Sequence, residues 1–250
     1  MIDYPITSVL VDSNGFKHAI SHRKVYMNQD DKILFAGDPH GDFRALIAAV
    51  CEKKPEAVVL LGDYDLDKPL EHYLETILGL TQVWWIPGNH DFDYQHRYNN
   101  LFNSALASNG LHLKVKSIAG LKVAGLGGIF LGRVWYPPKK PRWRNKIQYL
   151  NNQPAHLRKA GLSLKFKSAI WHDELEALKQ FEADILVTHE APGCHIYGFD
   201  VIDELARVMG VKKIFHGHQH DSYFVKTDHG IDVIGVADRA VKNLAGQVLE

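Results

Sequence analysis

The feature that most restricts how this 250-residue chain can fold is a recurring pair: a short apolar run with a polar cluster at its carboxyl end. Residues 33–36, 58–61 and 83–86 are such runs, and each is followed by a stretch with helical spacing of apolar residues, at 43–53, 70–78 and 94–107. Four apolar residues bounded by turn residues read as a buried strand, and strands alternating with helices predict a parallel sheet joined by right-handed crossovers. The rhythm returns later, with helices over 170–181 and 201–209, strands over 185–187 and 213–215, and short strands over 223–226 and 231–234. Between the two halves, residues 111–118 and 121–126 flank a glycine turn and predict two successive strands. Residues 1–31 are expected to form an irregular or hairpin lead-in, with turn residues at Asp12-Ser13-Asn14-Gly15.

Residues 132–167 break this rhythm. Pro137, Pro138, Pro141 and Pro154 punctuate them, and Trp135, Tyr136, Trp143 and Tyr149 are interleaved with basic residues. The balanced total of 29 Lys+Arg and 29 Asp+Glu hides a local excess: residues 94–172 hold 14 Lys+Arg and no acid. Such a segment is either a solvated basic loop or a surface that attracts phosphate-bearing substrates. Without an internal repeat or a separating linker, the expected organisation is a single domain over 1–250 with a basic, Pro/Trp-rich insertion at about 132–167. Hydrophobic residues at 46% and charged residues at 23% exclude a disordered or fibrous chain, and no apolar run approaches a membrane span. The N-terminus reads as lacking a signal peptide. Two cysteines, Cys51 and Cys194, are expected as reduced thiols in a cytoplasmic protein.

The polar clusters carry the chemistry. The apolar runs end in Gly37-Asp38-Pro39-His40-Gly41, Gly62-Asp63 and Gly88-Asn89-His90-Asp91, and the later pair in Thr188-His189 and His216-Gly217-His218-Gln219-His220. Ligands of α/β sheets gather at the carboxyl ends of strands, so five clusters there should converge. Carboxylate, amide oxygen and imidazole together suit Mn, Fe or Zn, and no cysteine is among them.

In this order the clusters resemble the calcineurin-like metallophosphoesterase superfamily, whose pattern is Asp-x-His, Gly-Asp, Gly-Asn-His-Asp/Glu, a lone His, and Gly-His-x-His. The resemblance spans residues 33–220 and implies a four-layer α-β-β-α sandwich with two mixed sheets, of the α/β class. It also implies two divalent metal ions. Asp38, His40 and His220 would hold one; Asn89, His189 and His218 the other; Asp63 would bridge them, with a bridging hydroxide as nucleophile. Two divalent ions against two carboxylates leave a positive surplus suited to a phosphate ester. His90 would contact the phosphate and protonate the leaving group.

The family's second motif commonly continues to a further acid that pairs with this histidine, but here the chain reads Gly62-Asp63-Tyr64-Asp65-Leu66-Asp67. Leu66 occupies the acid's place, which leaves Asp65, Asp67 or Asp91 as the partner of His90. Arg44 would contact phosphate or stand as a solvated residue at a helix start. Cys194, His195 and His216 would line the pocket or brace it from behind. Three functions follow. The first is a metal-dependent phosphoesterase acting on mono- or diesters of small molecules or nucleotides. The second is a nucleic-acid phosphodiesterase using the basic insertion. The third is a non-catalytic scaffold with Trp135 and Trp143 as anchors for a protein partner; a complete ligand set argues against it.

Overall fold

The computed structural model describes residues 6–11, 17–22 and 28–249. The lead-in is a hairpin of β1 (Ile6–Val11) and β2 (Lys17–His22), paired antiparallel; its turn over 12–16 lies outside the described residues. The first run is β3 (Ile33–Ala36), followed by α1 (Arg44–Lys53), β4 (Ala57–Leu60), α2 (Leu70–Leu74), β5 (Gln82–Trp85) and α3 (Gln95–Phe102). β3, β4 and β5 pair in parallel, as the alternating pattern predicts. The strand pair is β6 (Val115–Ile118) and β7 (Leu121–Leu126), antiparallel to each other. Three short helices lie within residues 132–167: α4 (Lys146–Asn151), α5 (Ala155–Ala160) and α6 (Leu164–Lys167). Then come α7 (His172–Leu178), β8 (Ile185–Thr188), α8 (Asp200–Val208), β9 (Lys213–His216), β10 (Tyr223–Lys226), β11 (Asp232–Gly235), β12 (Val241–Lys242) and β13 (Val248–Leu249).

Two mixed sheets result. One has the order β13-β12-β3-β4-β5 and the other β10-β11-β9-β8-β7-β6. All four residues of β3, β4 and β8 are buried, and their alternate side chains enter different cores. Leu34 and Ala36 pack with Leu46 and Val50 of α1, whereas Ile33 and Phe35 face the other sheet. In β8, Leu186 joins the core with α7 and α8 while Ile185 and Val187 point between the sheets. A strand apolar on both faces has to be covered on both, and that forces four layers. Phe35 and Phe215 stack at the centre, with ring centroids 3.6 Å apart.

Several boundaries fall short of expectation, each for a local reason. The predicted helix 94–107 stops at Phe102. Asn103 donates its N–H to the Asn99 carbonyl there, and the Ser104 hydroxyl donates to Leu101, so side-chain and cap bonds replace further turns. The predicted helix 70–78 is regular only to Leu74 and continues as turns. The predicted strand 111–118 forms only from Val115, because Leu113 takes φ 59° and leaves the extended region. β12 and β13 have two residues each, too few for a periodic signal, and were not anticipated.

The insertion sorts by residue type. Trp135 is buried in the core of the second sheet, with Trp143, Tyr149 and Phe166 packed against it. Tyr149 and Phe166 stack at 4.4 Å. Arg133, Lys139, Lys140, Arg142 and Arg144 are exposed. Three of the four interleaved aromatic residues therefore serve the fold, whereas Tyr136 and the basic residues face solvent.

Candidate metal centre

The carboxyl ends of β3, β4, β5, β8 and β9 meet, and their loops use backbone conformations that most side chains avoid. Asp38, His40, Asp63, Asp65, His218 and His220 all have positive φ, between 25° and 66°. Strain of this kind, about 1 kcal/mol or more per residue, persists where the surroundings over-determine it and clusters at functional sites. Two glycines let the loops close. A Cβ at Gly88 would lie 2.2 Å from Asp63 Oδ1, and one at Gly217 would lie 2.5 Å from Asp38 Oδ1.

The seven residues proposed as ligands come together. His189 Nε2 lies 3.2 Å from Asn89 Oδ1 and 3.3 Å from Asp63 Oδ2. Asp63, His189 and His218 bring ligand atoms within 4.8 Å of one another. On the other side, His220 Nε2 is 3.4 Å from both His40 Nε2 and Asp38 Oδ2. Asp38 connects the halves, with Oδ1 3.8 Å from His189 Nδ1 and Oδ2 accepting from the His218 backbone N–H at 2.6 Å.

These donor atoms fit cations. His189 Nδ1 sits 2.8 Å from the Leu61 carbonyl, which takes its N–H and leaves Nε2 as a lone pair facing the oxygens of Asn89 and Asp63. His40 Nδ1 likewise donates to Asp65 at 3.0 Å and turns Nε2 toward His220. Asp38 Oδ1 is buried with no hydrogen-bond partner. Acceptors facing acceptors, buried at Asp38, Asp63 and His189 and half-exposed at His220, call for positive charge. In the metal-free protein the proton equilibria respond to that demand. Burial disfavours a charged His189, but Asp63 and Asp38 outweigh it and raise its pKa to about 10. Burial raises Asp38 to about 6 and lowers His218 to about 4. Asp63 is held below the usual carboxylate range: burial opposes its charge, and His189 more than compensates.

His90 stands at the rim, its side chain 45% exposed. Its backbone N–H donates to Asp63 Oδ1 at 2.8 Å, and its Nδ1 bonds Asp93 Oδ2 at 2.6 Å. Burial lowers its affinity for a proton, but Asp93 and Asp63 reverse this and raise the pKa above that of free histidine. None of the three acids considered from the sequence is the partner. Asp65 binds His40 and Arg97, and Asp67 lies near His96 at 3.7 Å. Asp91 is buried and accepts backbone N–H groups from Asp63, Tyr64 and Gly88, tying two loops together. Leu66 is a core residue. The signal for Asp93 was its spacing: His90–Phe92 is a 3-10 turn, which brings i and i+3 side chains to one side.

Two further residues carried no motif signal. Arg97, on α3, holds Asp65. Glu190 is buried, accepts the Phe130 N–H through Oε1, and places Oε2 3.9 Å from His218 Nε2; burial raises its pKa to about 7. Arg44 is exposed and paired with Asp42, outside the cluster. His216, His195 and Cys194 form a row beside the 217–220 loop: His216 Nε2 and Cys194 Sγ both meet the Tyr223 hydroxyl, and His195 bonds Asp221.

Comparison with known proteins agrees with this fold. An uncharacterized protein of Haemophilus influenzae is 35% identical over 218 residues, covering 87% of this chain and 96% of its own length. A dimetal phosphatase from Danio rerio shares the fold, with TM-score 0.51 at 14% identity over 85% of this chain and 92% of that one. Another solved chain reaches TM-score 0.55 at 14% identity, over 88% of this chain and 97% of its own. The sequence model of the calcineurin-like phosphoesterases matches residues 31–222. With its Asp, Asn and His clusters gathered at the five strand ends and that model covering most of its length, the chain belongs to the calcineurin-like phosphoesterase family and is a metal-dependent hydrolase of phosphoester bonds.

Proposed function

We propose that this protein hydrolyses phosphate esters of small molecules or nucleotides with two divalent cations. Asp38, His40 and His220 hold one, Asn89, His189 and His218 the other, and Asp63 is shared. The reading rests on one observation above all: two adjoining sets of acceptor atoms face each other with too few protons between them. Imidazole, carboxylate and amide ligands suit Mn, Fe or Zn. When bound, such ions polarise a phosphoryl oxygen and supply a nucleophile from water at neutral pH.

The protein's own residues do the rest. Asp65 and the Leu61 carbonyl fix the tautomers of His40 and His189, so that each turns Nε2 inward. Asp93 holds His90 by Nδ1, which leaves the Nε2 proton for the departing oxygen. Asp63 positions the same residue through its backbone N–H.

A nucleic-acid substrate is the weaker reading. Stacking on bases needs a series of free aromatic faces, whereas Trp135, Trp143 and Tyr149 are packed in or against the core and only Tyr136 of the four is exposed, edge-on to Phe199. Cys51 and Cys194 are free and exposed, which fits the cytoplasm. Among the described residues, no helix is long and apolar enough to cross a membrane.

The test is metal analysis combined with turnover. Manganese-loaded protein should carry two ions per chain and hydrolyse p-nitrophenyl phosphate. His90→Asn should keep both ions and lose about two to four orders of magnitude in kcat. Less than one ion per chain refutes the metal assignment, and unchanged turnover removes His90 from catalysis. Neutralising Lys139, Lys140, Arg142 and Arg144 should leave relative activity on oligonucleotides and p-nitrophenyl phosphate unaltered; selective loss on oligonucleotides would favour the nucleic-acid reading.

A further inference from the structure

A cleft of about 410 Å³ opens beside His90. Asn89 and Asp93 form its inner end, Phe92 and Ile129 give it apolar walls, and the insertion closes it with Ser163 and Lys165. Asn89, proposed above as a metal ligand, and Asp93, which holds His90 by Nδ1, both line it, so the cleft borders the proposed metal centre on the Asn89 side. The volume is within the range that encloses a small organic ligand.

The lysines around Phe92 differ in what they already do. Lys146 is bonded to Glu174, and Lys167 lies over the Tyr98 ring with Nζ 4.4 Å from its centroid. Lys165 is exposed at the cleft, in a stretch from 94 to 172 with no acid, and makes no ion pair among the described residues. Its main chain is fixed, because its carbonyl accepts the Ser168 hydroxyl and the Ser168 carbonyl accepts the Ile129 N–H. A cation on an anchored backbone, in one cleft with Asn89, Phe92 and Ile129, has the layout of a second anion site.

We propose that this cleft receives the leaving group and that Lys165 selects leaving groups bearing a phosphate of their own. The preferred substrates are then esters of phosphorylated alcohols, with the carbon skeleton against Phe92 and Ile129 and the distal phosphate at Lys165. Asp93 does not repel such a group strongly, since its carboxylate is shared with His90. A charge-assisted contact of this type is stronger than a neutral one and corresponds to about a tenfold preference at a partly exposed site.

The inference rests on the phosphoesterase reading above, and the experiment separates the two. Manganese-loaded protein is assayed on p-nitrophenyl phosphate, propane-1,3-diol monophosphate and propane-1,3-diol bisphosphate. The wild type should prefer the bisphosphate over the monophosphate by about tenfold in kcat/KM. Lys165→Ala should erase that ratio mainly through KM, Lys165→Glu should invert it, and Lys165→Arg should restore it. In parallel, titration calorimetry with the bisphosphate on the manganese-loaded His90→Asn protein, whose turnover is suppressed, should show binding weakened about tenfold by adding Lys165→Ala. A wild type that does not discriminate, or a ratio unmoved by Lys165→Ala, overturns the inference while leaving the hydrolase intact. Failure on all three esters removes the phosphoesterase reading and the inference with it.

Discussion

The two ends of the strand sandwich use the same residue types in opposite ways. Where strands begin, acids and lysines meet at the surface: Lys32 with Glu56, Lys122 with Glu182, Lys213 with Asp232. Where strands finish, Asp38, Asp63, Asp91 and Glu190 are all less than 5% exposed, beside a buried His189. Pairs of the first kind contribute little to stability, since water screens them and ordering the side chains costs entropy. Charges of the second kind are expensive unless something positive joins them. The finishing end therefore concentrates buried acids, among them an unpaired Asp38 oxygen, and on the function proposed above a bound cation offsets their cost.

The contrast breaks most sharply at Asp38. Asp38→Asn removes one ligand charge and should cut turnover by about a thousandfold, with loss of one ion per chain. The same change removes a buried carboxylate oxygen that has no hydrogen-bond partner, so the metal-free variant should melt at a higher temperature than the metal-free wild type. Thermal melts with and without manganese check both halves. A metal-free variant that melts lower than the wild type would mean that this end is not strained by its charges.

Close packing offers a second comparison. Gly88→Ala places a Cβ against Asp63 Oδ1 at 2.2 Å and His189 Cε1 at 2.5 Å, whereas nothing lies within 4 Å of a Cβ at Gly132. Gly88→Ala should cost about 3 kcal/mol in urea unfolding, as overpacking in a dense region does, and Gly132→Ala should be within about 0.5 kcal/mol of neutral.

The same asymmetry decided what could be read from the sequence. All five polar clusters and the strands before them were legible, because a wholly apolar run followed by Asp, Asn or His has few other uses. The parallel β3-β4-β5 core and the strand pair of the second sheet followed from periodicity. Interactions between loops were not legible. Nothing in the order of residues shows that Asp65 turns to His40 and Arg97, or that Asp91 collects three backbone amides, since both depend on loops distant in sequence. In the insertion, Trp135 and Trp143 read from the sequence as surface anchors or stacking residues; the fold puts Trp135 in the core and packs Trp143 against it.

A half-buried histidine outside the site gives a pH-dependent prediction. His112 accepts the Gly127 N–H through Nδ1, and burial, with Lys146 and Lys114 nearby, lowers its pKa to about 4. The unfolded chain binds this proton below about pH 6.5, but the folded protein does so only below about 4. Stability should therefore fall as pH drops from 6.5 toward 4, by on the order of 2–3 kcal/mol from this group. His112→Asn should flatten that part of the profile in denaturant titrations. An unchanged slope would assign the loss to other groups.

The smallest effect belongs to the starting end. Lys122 Nζ and Glu182 Oε2 lie 3.5 Å apart with side chains 59% and 86% exposed. Lys122 also donates its backbone N–H to Asp184 Oδ2 at 2.7 Å, a bond that survives any side-chain change. A double-mutant cycle of Lys122→Met and Glu182→Gln should give a coupling below about 0.5 kcal/mol, vanishing in 0.5 M salt. The Debye length there is only about 4 Å, comparable to the separation of the pair. A coupling above about 1 kcal/mol that persisted in salt would show that charges where the strands begin also hold the fold. The opposition between a cheap surface end and a costly buried end would then have to be redrawn as a difference of degree.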